Sequence, residues 1–400
     1  MIERNSYLAQ LEAFKNKDVI KVITGIRRCG KSTLLKQFIE RLKTDGVSAA
    51  QIIYVNFESA EFDGIKDYGD LRAYVKPRIF NGGKTYIFLD EIQRVTKFEI
   101  AVDGFTVDYN ADIYITGSNA QMLSTDLSTL LSGRYVEVKM YPLSFAEYMS
   151  AQGDRRADDC FIEYMKYGGL PFLTTLGEGA SELQIDSYLD GVYNTVILKD
   201  VLERNKIKDT ALILNLVRFI FSCIGSPVSS ASIAKTLKNE IKNVAHNTID
   251  NYLGMLCGAL ILNKAERYDI KGKAYLKTLG KYYVTDLGLR NHVLGYRQTE
   301  PTHALENIIY LELLRRGYKV DIGKVNEYEV DFIARNKKEI KYYQVAWSVD
   351  MDSSVLAREC RPFDAINDHY EKTLITMDKN FIIDVNGIKK INAIDFLLDT

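Results

Sequence analysis

The 400-residue sequence has five cysteines (Cys29, Cys160, Cys223, Cys257 and Cys360) and four histidines. The cysteines are scattered, with no close pair and no accompanying histidine set, which supports neither a disulfide framework nor a zinc site. They read as reduced thiols. No run approaches the roughly 20 uninterrupted apolar residues of a membrane-spanning helix, and Met1-Ile2-Glu3-Arg4-Asn5 does not open a secretory leader. The expectation is a soluble, cytoplasmic protein with no membrane partner. Internal repeats and low-complexity tracts are missing as well. A net charge of -1 provides no global field for nucleic acid, so any such contact has to come from a local basic surface.

What is present begins with size: 400 residues exceed what one core usually serves, and 46% apolar content is enough to build two or three domains. The first third alternates strand-like runs, "VIKVITG", "IIYVNFE", "TYIFLDE" and "DIYITGS", with helical patterns. Short buried strands joined by helices imply an α/β domain with a mostly parallel sheet. After "VEVKMYPLSFAEYM" the pattern turns helical and stays so to about Leu262, with Tyr167-Gly168-Gly169-Leu170-Pro171 as a loop. A second break falls near Gly295 to Pro301. Three modules are expected, over 1–155, 156–298 and 299–400.

Gly25-Ile26-Arg27-Arg28-Cys29-Gly30-Lys31-Ser32, with Thr33 following, fits G-x-x-x-x-G-K-[ST] in the strand-loop-helix context that confirms a phosphate loop. The glycines let backbone N–H groups converge on phosphate oxygens, and the helix N-terminus adds partial positive charge. Lys31 is expected to reach the β- and γ-phosphates of ATP, and Ser32 to ligate Mg²⁺. "TYIFLDEIQRV" ends a strand in Asp90-Glu91, where Asp90 would hold Mg²⁺ through water and Glu91 would polarise the attacking water. That pair argues for hydrolysis and not for binding alone.

Ser118-Asn119 at the end of "DIYITGS" is either a γ-phosphate sensor or a helix cap. Arg134 suits a phosphate on a neighbouring subunit, and equally a surface salt bridge. Arg27 and Arg28 have phosphate or solvent to face, and Cys29 is a small residue in a tight turn.

These motifs, with "LSGRYVEVKMYPLSFAEY" and "YGGLP", resemble the bacterial and archaeal AAA-like P-loop ATPases that carry a C-terminal domain of unknown function. The resemblance covers nearly the whole chain. It implies an ATPase module followed by a winged-helix region and a restriction-endonuclease-like end.

Between Ala211 and Asp286 three helices precede two strand-like pieces, the order of a winged helix-turn-helix. The third helix would offer His246, Asn247 and Thr248 to duplex DNA, with Lys242 and Asn243 just before it. Lys235, Lys238, Lys242, Lys264, Lys271, Lys273, Lys277 and Lys281 make this segment locally basic. Winged helices also bind proteins, so a protein partner stands beside DNA.

Further on, Glu306 on a helix, Asp331 on a strand and Gln344-Val345-Ala346 on the next strand resemble the metal site of restriction-endonuclease-like nucleases. There the last strand carries Glu-x-Lys. Gln344 attracts Mg²⁺ less than a carboxylate does and Ala346 cannot activate water, so a retained fold with lost cleavage is expected, an ATP-dependent nuclease being the alternative.

Overall fold

The computed structural model describes residues 2–119, 133–177, 179–237, 245–296, 301–350, 353–379, 384–385 and 387–399. The chain divides into two compact units, one built on the first 140 residues and the other on most of the remainder.

The first unit opens with helix α1 (Asn5–Ala13) and holds five parallel strands, β1 (Ile20–Thr24), β2 (Ile52–Asn56), β3 (Thr85–Asp90), β4 (Ala111–Gly117) and β5 (Tyr135–Lys139), in the order β2-β3-β4-β1-β5. Helices α2 (Lys31–Thr44), α3 (Tyr68–Val75) and α4 (Phe98–Asp108) connect them. Every residue of β1 and β3 is buried, which is why those strands read as continuous apolar runs and not as alternation. One face packs Val22, Val55, Leu89 and Ile115 against Leu71, Val102 and Phe105. Aromatic rings pack elsewhere in this core: Phe88 stacks on Tyr114 with centroids 4.7 Å apart, and Phe38 of α2 tilts onto Tyr114 at 5.2 Å.

Lys21 lies within that buried β1, where its ammonium is paired with Asp112 of β4. Strand β4 therefore separates the strand that leads into the phosphate loop from the strand that ends in the two acids. The C-terminal ends of β1, β4 and β3 line up along one sheet edge, where side chains from all three can meet.

The second unit begins with α5 (Phe145–Met149), opened by a Ser144–Glu147 capping box, and α6 (Ala157–Tyr167). Helix α7 (Glu182–Thr195) runs into a π-helical stretch, Val196–Glu203, and α8 (Thr210–Ser222), α9 (Ser230–Leu237) and α10 (His246–Gly258) come after it. The antiparallel pair β6 (Leu262–Asp269) and β7 (Ala274–Val284) comes next, then α11 (Leu287–Leu294) and α12 (Pro301–Arg315).

Strands β8 (Lys319–Val325), β9 (Tyr328–Arg335), β10 (Ile340–Val345), β11 (Glu371–Thr376), β12 (Asp384–Val385) and β13 (Ile388–Asn392) complete the unit with α13 (Ser353–Asp364) and α14 (Ala393–Leu398). All eight strands share one mixed sheet, ordered β12-β13-β11-β10-β9-β8-β6-β7. The hairpin β6–β7 is thus continuous with the C-terminal strands: Arg267, Tyr268 and Asp269 pair in parallel with Ile322, Gly323 and Lys324.

Helix α12 is clamped to β7 by Asn307, whose amide accepts from the Val284 N–H at 2.8 Å and donates to its carbonyl at 2.9 Å. Asp286, the N-cap of α11, also accepts from the Gly169 N–H at 2.8 Å and so ties down the glycine loop after α6. Among the described residues no helix is long and apolar enough to cross a membrane.

Candidate nucleotide site

The loop between β1 and α2 has a shape that only small residues permit. A Cβ on Gly25 would lie 2.5 Å from the Met140 carbonyl oxygen and 2.7 Å from Cys29 Sγ, and Gly30 adopts φ 104° as it enters α2. Arg28 is exposed at φ 65°, Cys29 is buried, and the Cys29 carbonyl accepts from buried Arg4 at 3.1 Å. Arg27 points to exposed Glu58, 3.4 Å away, which Arg94 reaches at the same distance. Burial raises the Cys29 thiol above its ordinary range, so it stays protonated.

Lys31 opens α2 and is buried, its ammonium donating to the Gly25 carbonyl at 2.9 Å and the Ile26 carbonyl at 3.3 Å, and pairing with Glu91 Oε1 at 3.3 Å. Ser32 and Thr33 are half-buried beside it. Burial alone would push the Glu91 carboxyl up, but Lys31, the Gln93 amide and Arg27 outweigh it and hold the group below the ordinary glutamate range. Burial likewise opposes the Lys31 ammonium, and the acidic groups around it, Glu91 and Asp90 among them, keep it above the ordinary lysine range.

Asp90 is fully buried, its Oδ1 accepting from Thr116 Oγ1 at 2.6 Å and its Oδ2 from the Tyr54 hydroxyl at 3.1 Å. Burial first, and then Asp90, push the Tyr54 phenol upward, so it remains a donor. Thr116 also accepts the Glu91 N–H at 2.9 Å, so one hydroxyl of β4 braces both the last residue of β3 and the acid that follows it.

Glu91 itself sits at φ 56°, ψ 47° and caps the tight turn Ile92–Arg94. That left-handed conformation costs a non-glycine residue about 1–3 kcal/mol. The turn brings Gln93 back onto Glu91, with Nε2 donating to Oε2 at 2.5 Å and to Ser118 Oγ at 3.3 Å. Gln93 Oε1 is buried with no partner among the described residues, which costs an acceptor about 1–3 kcal/mol. Tyr54, within β2, Gln93, in the turn after β3, and Thr116, near the end of β4, are not part of the sequence motif.

The structure thus brings Gly25, Lys31, Ser32, Asp90, Glu91 and Ser118 to one edge, with Asn119 buried next to Ser118. Arg134 is set apart. It is exposed and precedes Tyr135, which pairs with Ile20 at the opposite end of β1 from the loop. Five strand residues, about 16 Å at ~3.3 Å each, lie between.

In the second unit, His246 and Asn247 are exposed and Thr248 half-buried on the first turn of α10, and Lys235, Lys264, Lys271 and Lys273 are exposed. Lys238, Lys242 and Asn243 lie outside the described residues. Lys271 donates to Asn326 Oδ1 at 2.8 Å.

Lys281 corrects the sequence reading: it does not add to a basic surface but is buried among acids. Its Nζ is 3.0 Å from Glu306 Oε1, 2.8 Å from Glu329 Oε1 and 3.8 Å from Asp331 Oδ1. The Tyr283 hydroxyl donates to Glu306 at 2.6 Å. Burial opposes the Lys281 ammonium, but Glu306, Asp331 and Glu329 hold it above the ordinary range. Burial and Glu306 push the Asp331 carboxyl up.

Gln344 adjoins this cluster, its Oε1 accepting from the Asp331 N–H at 3.2 Å and its Nε2 donating to Glu359 at 3.3 Å, while Ala346 packs into the apolar core with Ile333 and Phe363.

Two family models match the chain, an AAA domain over residues 17–149 and a domain of unknown function (DUF8612) over residues 158–300. An uncharacterized protein of Haemophilus influenzae is 41% identical over 403 residues, covering 100% of this chain and 99% of its own. The uncharacterized protein MJ1544 of Methanocaldococcus jannaschii is 29% identical over 81% of this chain and 73% of its own. In structure, the Walker-type ATPase PABY2304 of Pyrococcus abyssi superposes with a TM-score of 0.52 at 15% identity, over 73% of this chain and 96% of that one. With the strand order and the loop in place, the chain belongs to the family of bacterial and archaeal AAA-domain proteins of P-loop ATPase fold whose C-terminal part carries a domain of unknown function.

Proposed function

We propose that this protein is a Mg²⁺-dependent ATPase whose nucleotide cycle drives a conformational change in a DNA-binding or partner-binding C-terminal half. The observation that carries the reading is the meeting of the Lys31 ammonium and the Glu91 carboxylate, 3.3 Å apart, beside buried Asp90 and a loop that tolerates no side chain at Gly25. Gly25 to Thr33 would cradle the phosphates, with Lys31 exchanging its loop carbonyls for phosphate oxygens.

The hard oxygen donors of Ser32 and Asp90 suit Mg²⁺, which when bound would neutralise charge on the phosphates. Glu91, held ionised, is the group to accept a proton from the attacking water, and buried Asn119 is the residue assigned to sense the γ-phosphate. Arg134 lies too far along the sheet to serve its own site, which supports a role toward a neighbouring copy in a homo-oligomer.

For the rest of the chain we propose modules over 1–155, 156–298 and 299–400, the second ending in a winged helix made of α8, α9, α10 and the β6–β7 hairpin. Its support is the exposed His246 and Asn247 at the start of α10 with Lys235, Lys264, Lys271 and Lys273. The third keeps a restriction-endonuclease-like arrangement of Glu306, Asp331 and Gln344 in which Lys281 occupies the acids, so cleavage is not expected. A nucleotide-gated protein-interaction switch is the second reading. What favours it is the withdrawal of Lys281 from the basic face into the acids.

Steady-state Mg²⁺-ATP hydrolysis with and without duplex DNA, at low and moderate salt, tests the proposal with Lys31→Ala and Glu91→Gln as blanks. Turnover that both substitutions abolish is expected. Stimulation by DNA that fades with salt supports the winged-helix reading, and turnover indifferent to DNA supports the protein switch. No turnover in the wild-type chain would overturn the ATPase itself.

A further inference from the structure

Gln93 has an amide pinned on one side and unsatisfied on the other. Its Nε2 donates to Glu91 Oε2 at 2.5 Å and to Ser118 Oγ at 3.3 Å, while its Oε1 is buried without a partner among the described residues. The orientation is set by the neighbours: with the amide turned over, its oxygen would face the Glu91 carboxylate, and two acceptors would collide. The left-handed Glu91 and the turn after it, anchored by fully buried Ile92, aim the amide where it is. A strained residue, a fixed amide and an orphaned acceptor thus coincide beside the general base.

We propose that Gln93 positions the water that attacks the γ-phosphate, its Oε1 accepting a hydrogen bond from one O–H of that water while Glu91 accepts from the other. The inference rests on the ATPase reading above. The unsatisfied acceptor calls for a donor, and among the groups of this reaction the attacking water has two O–H bonds to direct.

With both held, the water's lone pair is turned toward phosphorus. That lone pair forms the new P–O bond as the electron pair of the bond between the γ-phosphorus and the bridging oxygen leaves with ADP. The proton removed from the water goes to Glu91 and then to the products, and the hydrogen on Gln93 stays with the transferred oxygen. Lys31 now pairs with Glu91 Oε1; turning it to an arriving phosphate frees that oxygen for the water, while Gln93 keeps the other oxygen in register with Ser118.

The test compares Gln93→Met, which keeps length but has no amide, with Gln93→Ala, which removes the amide without adding bulk. Two readouts are taken on the full-length protein: steady-state hydrolysis, and binding of a fluorescent ATP analogue and of ADP with aluminium fluoride, the second of which captures the planar phosphoryl group with its in-line water. Both variants are expected to bind the ATP analogue within about 3-fold of wild type, and to lose about 100-fold in kcat with KM little changed. The extra affinity that aluminium fluoride gives ADP is expected to disappear.

Wild-type kcat and wild-type aluminium fluoride affinity in Gln93→Ala would overturn the proposal while leaving the ATPase reading intact. Loss of analogue binding in both variants would also overturn it, by reducing Gln93 to a support for the loop. A wild-type chain without turnover would instead fail the reading on which the proposal rests.

Discussion

Lys31 and Lys281 are both buried ammonium groups within 3.3 Å of a glutamate, yet their surroundings differ in kind. Lys31 has one carboxylate in contact and otherwise main-chain carbonyls, in a loop beside half-buried Ser32 and Thr33. Each of those partnerships is replaceable, and a phosphate offers more charge than any of them. Lys281 faces three acids, one of which is also held by Tyr283 and another by the Val345 N–H. An incoming phosphate would have to displace all three at once. A buried lysine is available for ligand when its partners are weaker than the ligand, and serves as a structural counter-ion when they are not.

The largest expected effect separates the two directly. Lys281→Met leaves Glu306, Glu329 and Asp331 without their counter-ion and should lower unfolding stability by about 3–5 kcal/mol, with ATP-analogue binding retained. Lys31→Met should remove nucleotide binding while costing less stability, about 1–3 kcal/mol, because Glu91 keeps the Gln93 amide. Denaturant midpoints and analogue titration read both. Two variants with the same profile would break the comparison.

Glycines sharpen it next, because they differ in whether a side chain has room. Gly25→Ala drives a methyl against the Met140 carbonyl 2.5 Å away and should cost about 1–3 kcal/mol together with nucleotide affinity. Gly191, inside α7 with nothing within 4 Å of its built Cβ, should gain about 0.5–1 kcal/mol on substitution by alanine, measured in the same titration.

A pH effect distinguishes the acids of the two units. Burial raises Asp286 from 3.8 to about 6, against the N–H groups of Gly169, Leu289 and Gly288, whereas Glu91 is lowered. The folded chain therefore holds the Asp286 proton more tightly than the unfolded one. That contribution is complete below about pH 4 and is lost as pH rises through about 6. Stability profiles of wild type and Asp286→Asn should diverge in that window, and parallel profiles would count against the assignment. The smallest effect belongs to Glu58, exposed between Arg27 and Arg94, where Glu58→Gln should change stability by less than about 1 kcal/mol.

How much was legible in the sequence divides along the same line. The phosphate loop, the two acids and the strand-like runs leading to them were readable because local spacing sets them: a glycine pair, a lysine at a helix start, acids at a strand end. Lys21 and Asp112 each stand in an otherwise apolar strand, and their pairing becomes visible only once β4 is known to lie beside β1.

Thr116 and Tyr54 escaped for the same reason, since they act on Asp90 from neighbouring strands. Gln93 escaped because a left-handed Glu91 is needed to turn it back, and nothing in "DEIQ" announces that conformation. Lys281 was grouped with surface lysines although it shares a strand face with Tyr283, two residues on, and both reach Glu306. The period of two was in the sequence. The acids that make it tolerable were not local to it.

The three-residue ladder between β6 and β8 bears on how the gene can be cut. An expression product ending near residue 298 would keep Lys281 but lack Glu306, Glu329 and Asp331, and would bare the edge of β6 that Ile322, Gly323 and Lys324 now cover. Such a fragment would bury an ammonium with no acid to meet it and offer an unpaired strand to its neighbours in solution, a recipe for inclusion bodies. Cloning boundaries placed by motif would fall inside one sheet.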